Sequence, residues 1–281
     1  MNRKTGDFEE GFDKANKLID IGFDSEFGPG DLPIETRGRK LNGVIAPSCL
    51  DEFSSAALAW AYKEVAESVI ADVYIVLGRD DNKRNKFSTF LFSDWDTSFG
   101  TVKVDVEFGR KLIKGFPKLR NSFEAFQGNN FVDIQLPFLQ YANKTVLGKI
   151  KFVPILVGDV SYEEICGFAD AVSDTGKNVC VIASSNLTYY GKEYENVPFL
   201  HGIKENIYAR DKGLLGFVNN LDVKGFLESS KKGGVFDRNV IGVFMEIMRG
   251  LGCKKGRVLN YYTSGDLEGY GKAIGFGVVA F

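Results

Sequence analysis

The chain has 281 residues, 44% of them hydrophobic and 13% aromatic, with 35 Lys and Arg against 37 Asp and Glu for a formal net charge of −2. This is ample apolar surface for a sizeable core, and the charge balance points away from nucleic acid and anionic membrane as partners. No apolar run reaches the ~20 residues of a spanning helix, and the polar, acidic opening is no signal peptide, so a cytoplasmic protein is expected.

Residues 1–38 are charged and glycine-rich, with weak helical character around Phe12–Ile21, and the first 40 residues add little. The stretch 41–47 reads as a first strand. Behind it comes a helix capped by Asp51 and striped by Phe53, Ala57, Trp60, Ala61 and Val65. Residues 72–78 form a second buried strand. The aromatic, alternating segment 86–100 reads as a hairpin or edge excursion, and 101–114 as a strand turning into a helix. Residues 149–158 and 179–183 are further buried strands with a helix between them. Helices are predicted from Asp211 to Leu221 and from Asp237 to Gly250, and two strands close the chain. Strands separated by helix-length segments predict one α/β domain over 1–281, a three-layer α/β/α sandwich around a mixed, largely parallel sheet.

His201 is the only histidine, which excludes HExxH, two-His facial triads and three-His zinc sites. Cys49, Cys166, Cys180 and Cys253 are scattered without a CxxC and read as free thiols. The glycine-rich GYGKAIG at 269–275 does not open a helix after a strand, so it serves a turn and close packing. The stretches GRDD and DRNV read as ordinary charged loops. Strand ends are more informative. The 179–183 strand passes abruptly into Ser184, Ser185, Asn186, Leu187, Thr188, Tyr189 and Tyr190, and such carboxyl ends open into binding crevices.

The strand ends form an ordered series. It runs through Trp95-Asp96-Thr97-Ser98-Phe99-Gly100, Gln135-Leu136-Pro137-Phe138-Leu139, Val153-Pro154-Ile155 with Gly158, and Ser184-Ser185, to Ser264-Gly265-Asp266 and Ala273-Ile274-Gly275-Phe276. In order and spacing, over residues 41–281, this series resembles the Memo family, also called AmmeMemoRadiSam system protein B, whose fold is similar to the class III (LigB-type) extradiol dioxygenases.

The resemblance implies a metal, iron or copper, held by two histidines and a cysteine. Its histidine positions fall here on Ser48, Asp81, Asn130 and Tyr189, its aspartate on Asn186, and its cysteine near Phe236. Hydroxyl, amide and phenyl groups are poor ligands for such ions. The expected pocket therefore comprises Ser48, Cys49, Asp51, Asp80, Asp81, Asn130, Asn186, Tyr189, Tyr190 and Phe236, without a transition metal. It is expected to bind a peptide, small molecule or protein partner. By family analogy, AMMECR1-type and radical-SAM proteins are candidate partners. Two alternatives stand beside this expectation. One is an enzyme, either metal-dependent or using Asp81 or Asp51 as general base with Ser48 or Tyr189 as donor. The other is a hard Mg or Ca site built from Asp51, Asp80 and Asp81.

Overall fold

The computed structural model describes residues 3–4, 8–33, 38–82, 84–231 and 233–281. In chain order the strands are β1 Arg3–Lys4, β2 Gly43–Ala46, β3 Val73–Arg79, β4 Phe87–Thr89, β5 Trp95–Thr97 and β6 Gly100–Val104. They continue as β7 Leu119–Asn121, β8 Lys151–Val157, β9 Val179–Ser184, β10 Tyr189–Tyr190, β11 Arg257–Thr263 and β12 Ala273–Ala280. The helices are α1 Phe8–Asp24, α2 Ser55–Ala66, α3 Val106–Gly115, α4 Leu136–Ala142 and α5 Tyr162–Ser173. They are followed by α6 Ile203–Asn219, α7 Val223–Ser229, α8 Arg238–Gly250 and α9 Gly265–Glu268.

One mixed sheet runs β1-β5-β6-β8-β3-β9-β2-β12-β10, with β11 on β12, and β4 and β7 attached beside β8. Its central strands β8, β3, β9 and β2 are parallel, so their carboxyl ends share one edge. Strand side chains alternate between two cores, as period-two geometry requires. Val44, Ala46, Tyr74, Val76 and Ile182 face the layer of α1, α2 and α4. Ile45, Val73, Ile75, Leu77 and Val181 face the layer of α3, α5, α6 and α8. The predicted three-layer α/β architecture is the one observed.

Three departures from the sequence expectations have physical causes. First, α6 begins at Ile203, well before the predicted start at Asp211. Asp211 is an interior helix residue, buried because its carboxylate accepts hydrogen bonds from Thr188 Oγ1 at 2.6 Å and Tyr261 Oη at 2.8 Å. A side chain at Gly275 would collide with that carboxylate, with a Cβ only 2.1 Å from Oδ2, so this glycine serves close packing as anticipated.

Second, the amino-terminal segment contributes more than expected. Arg3 pairs in parallel with Trp95 at the sheet edge and stacks over its ring at 4.6 Å. Its guanidinium donates to Asp133 and to the carbonyls of Phe126 and Asn129. Third, Asp51 does not occupy the N-cap of α2; that position is Ser54. Asp51 Oδ1 instead accepts from the N–H groups of Phe53 and Ser54, closing the turn that leads into the helix.

Candidate functional site

Gln135 ties the strand ends together. Its Nε2 donates to the Pro47 carbonyl at 2.7 Å and to Ser184 Oγ at 2.9 Å, and its Oε1 accepts from Tyr62 Oη at 2.9 Å. These three hydrogen bonds satisfy the amide within the apolar layer and hold the tips of β2 and β9 side by side. Beyond them the chain supplies Ser48 after β2, Arg79 at the end of β3, and Asn186 and Tyr189 after β9.

At the centre of this crevice lies Asp237, fully buried at the amino end of α8. It occupies the N-cap position but makes no side-chain cap hydrogen bond. Its carboxylate turns inward instead. Oδ2 accepts from the Asn186 N–H at 2.8 Å, Ser48 Oγ at 3.0 Å and Tyr189 Oη at 3.2 Å. Oδ1 accepts from Arg79 Nη1 at 3.0 Å. Asn186 completes the lattice: its Oδ1 accepts from the Ser48 N–H at 3.1 Å and its Nδ2 donates to Tyr189 Oη at 2.9 Å. Backbone shape makes this possible. Gly234, at φ +74°, accepts from the Tyr189 N–H, and a Cβ there would strike the Asn196 side chain and the Tyr189 carbonyl. The α7–α8 connection can therefore press against β10 and deliver Asp237.

The electrostatics follow from burial. Burial pushes the Asp237 carboxyl above its ordinary value, while Arg79, the Asn186 N–H and the Ser48 and Tyr189 hydroxyls oppose it. Burial pulls the Arg79 guanidinium down, but Asp237 and Asp81 outweigh it and hold the group charged. Tyr189 is kept well above the ordinary phenol range by burial and by Asp237, so it stays a protonated donor. The half-buried Cys49 thiol is pushed up to about 12 by burial and by Asp51. It is not a reactive thiolate.

The structure thus brings Ser48, Asn186 and Tyr189 together, with Cys49 beside Asn186 Nδ2 at 3.7 Å. Phe236 packs against the Tyr189 ring at 4.9 Å. Asp81 joins the cluster only through Arg79, whose Nε and Nη2 donate to it at 2.5 and 3.2 Å. Four predicted members do not join it. Asn130 is exposed, and its neighbour Asn129 is the buried one, donating to the Arg79 carbonyl at 2.7 Å. Tyr190 points to the opposite side, as the next residue of a strand must, stacking on Phe199 and donating to that residue's carbonyl. Asp80 accepts from the Asn82 N–H within its own turn, and Asp51 is spent on the α2 turn.

The proposed trio of Asp51, Asp80 and Asp81 therefore forms no cation site. Among the described residues no group of three or more His, Cys, Asp or Glu is placed to hold a metal ion. Around Asp237 the donor chemistry also argues against iron or copper. Its neighbours are protonated hydroxyls, an amide and a guanidinium, and a dication would have to sit against that positive charge. The carboxylate in contact with Ser48 and Tyr189 is Asp237, not Asp81 or Asp51. Sequence reasoning passed over both halves of the central ion pair, because GRDD and DRNV look like solvated loops. The available signal was position: one lies at a strand end, and the other opens a helix beside the place assigned to the family cysteine.

A three-layer α/β protein with a polar crevice at the carboxyl ends of its parallel strands is the class that fold and site define. The sequence narrows this further. Residues 6–278 match the family model described as Memo-like protein, and the chain belongs to the Memo family. It is 28% identical to a MEMO1 family protein of Methanopyrus kandleri, covering 96% of this chain and 93% of that one. A MEMO1 family protein of Pyrobaculum aerophilum is 27% identical over 98% of this chain and 95% of its own length. One from Nitrosopumilus maritimus is 26% identical over 95% and 94%. No helix among the described residues is long and apolar enough to cross a membrane.

Proposed function

We propose that the strand-end crevice of this Memo-family protein is a metal-independent, non-catalytic binding site for a peptide, small molecule or protein partner, working in the cytoplasm. One observation carries the proposal. The side chains of Ser48, Asn186 and Tyr189 spend their polar atoms on one another and on Asp237, whose charge is met by Arg79. A network satisfied in this way gains nothing from a cation. The crevice keeps its rigid frame through Gln135 and its aromatic wall through Tyr189 and Phe236, which suits recognition more than turnover. AMMECR1-type and radical-SAM proteins are the partners family analogy suggests. Elemental analysis of untagged protein is expected to find far less than one iron, copper or zinc per chain. One equivalent that survives dialysis against a chelator and disappears in Asp237→Asn would overturn the proposal.

A further inference from the structure

The two faces of the Arg79 guanidinium edge are held differently. Its inner nitrogen meets the Asp237 carboxylate, whose side chain is 0% exposed, whereas its outer fork meets Asp81, 55% exposed. The plane between them is clamped, with the guanidinium carbon 4.7 Å from the Phe131 ring centre and 5.6 Å from that of Phe236. The Arg79 carbonyl is tied by Asn129. The guanidinium is thus fixed in position and orientation by the buried Asp237 carboxylate, the tie from buried Asn129 and two flanking rings, while what fills its outer fork is an exposed side chain from a turn.

An exposed ion pair is worth little, so Asp81 can leave at small cost, whereas a planar bidentate fork is the geometry that selects carboxylates. Phe236, 44% exposed, continues the Tyr189 wall next to that fork and offers an apolar surface for the rest of a ligand.

We propose that the outer fork of Arg79 recognises a ligand carboxylate attached to an apolar body, and that Asp81 occupies the fork as a built-in stand-in which the ligand displaces. This rests on the crevice being a binding site and names the chemistry it selects. Displacement exchanges one carboxylate for another: Arg79 stays charged and paired on both sides, and Asp81 swings into solvent. The carboxylate belongs either to a small organic acid or to the end of a peptide chain, and both present the same group to the fork.

The test uses the full chain at fixed ionic strength, following the Arg79 Nε–H resonance by NMR. The probes are 3-phenylpropionate, its amide, and a hydrophobic tripeptide with a free or an amidated carboxyl end. A carboxylate probe is expected to move the Arg79 signal while its amide does not. Asp81→Ser is expected to tighten carboxylate binding roughly fivefold, the worth of one exposed ion pair, and to lower the melting temperature by no more than about 4 °C. Arg79→Lys is expected to weaken it. A stronger response to phenylpropionate assigns the site to small acids, and a stronger response to the free tripeptide assigns it to chain termini. Either one supports the proposal. Equal binding of acid and amide, no gain in Asp81→Ser, or a stationary Arg79 signal would overturn it. A probe that instead shifts Tyr189 and Phe236 without regard to its carboxyl group would overturn this inference and leave the crevice a binding site.

Discussion

Two buried aspartates lie on either side of the β9–β10 connection, and the protein treats them differently. Asp237 sits in the crevice, with a guanidinium on one oxygen and an N–H and two hydroxyls on the other. Asp211 sits behind β12 and is held by neutral donors alone: Thr188 through its hydroxyl and its N–H, and Tyr261 through its phenol. The contrast separates a carboxylate kept for its charge from one kept for its hydrogen bonds. A buried charge needs a counter-charge to remain ionised cheaply, and only Asp237 has one in contact. Burial accordingly pushes Asp211 up to about 6, with Thr188, Tyr261 and Arg210 opposing it.

Removing the counter-charge should turn the first aspartate into the second. Arg79→Met leaves Asp237 buried beside neutral donors only, and breaking such a pair is expected to cost about 3–5 kcal/mol at neutral pH. The loss should shrink towards acid, because a protonated Asp237 no longer needs Arg79. Urea unfolding at several pH values measures both parts, and a loss independent of pH would mean that the pair is not electrostatic in origin.

Asp211 provides the converse. Its folded pKa of about 6 lies above the unfolded carboxyl value near 4, so the protonated form is the one the fold favours. The stabilisation is complete below pH ~4 and disappears as pH rises through about 6, a loss of at most roughly 3 kcal/mol. Asp211→Asn cannot ionise and is expected to flatten that stretch of the stability profile. A wild-type profile already flat from pH 4 to 6 would show that the donors have offset burial.

The two sites also differ in how far the sequence betrays them. The strand runs at 72–78, 149–158 and 179–183 are apolar throughout because both faces are covered, and β3, β8 and β9 lie where those runs place them. Ser48, Asn186 and Tyr189 were legible as a group because they follow strands whose carboxyl ends share one edge. Arg79 and Asp237 were not, since their meaning is a contact across 158 residues of chain. Asp211 reads as the start of a helix for the same reason. An aspartate ahead of an apolar stripe looks like a helix start, and only the arrival of Thr188 from the β9–β10 connection and Tyr261 from β11 explains why it is buried inside α6. Arg3 lies in a segment with no apolar pattern, and its cage of Trp95, Phe90 and Phe126 comes entirely from elsewhere in the chain.

The finest test of the comparison removes one neutral donor from the aspartate that has no contacting cation. Tyr261→Phe deletes the 2.8 Å hydrogen bond to Asp211 while keeping the ring against Tyr208. The expected cost is about 1 kcal/mol at neutral pH, where the carboxylate is ionised, and less below pH 4, where it is not. Losing a donor to the charged form also raises the folded pKa further, so the midpoint of the stability loss should move up in pH. In an Asp211→Asn background the same substitution has no carboxylate to act on, and the midpoint shift should vanish. A shift that persists there would place the titration on another group. One that vanishes assigns it to Asp211, and with it the rule that separates the two aspartates: neutral donors lower the cost of a buried charge, and only a contacting cation lets that charge be held for use at the surface of a site.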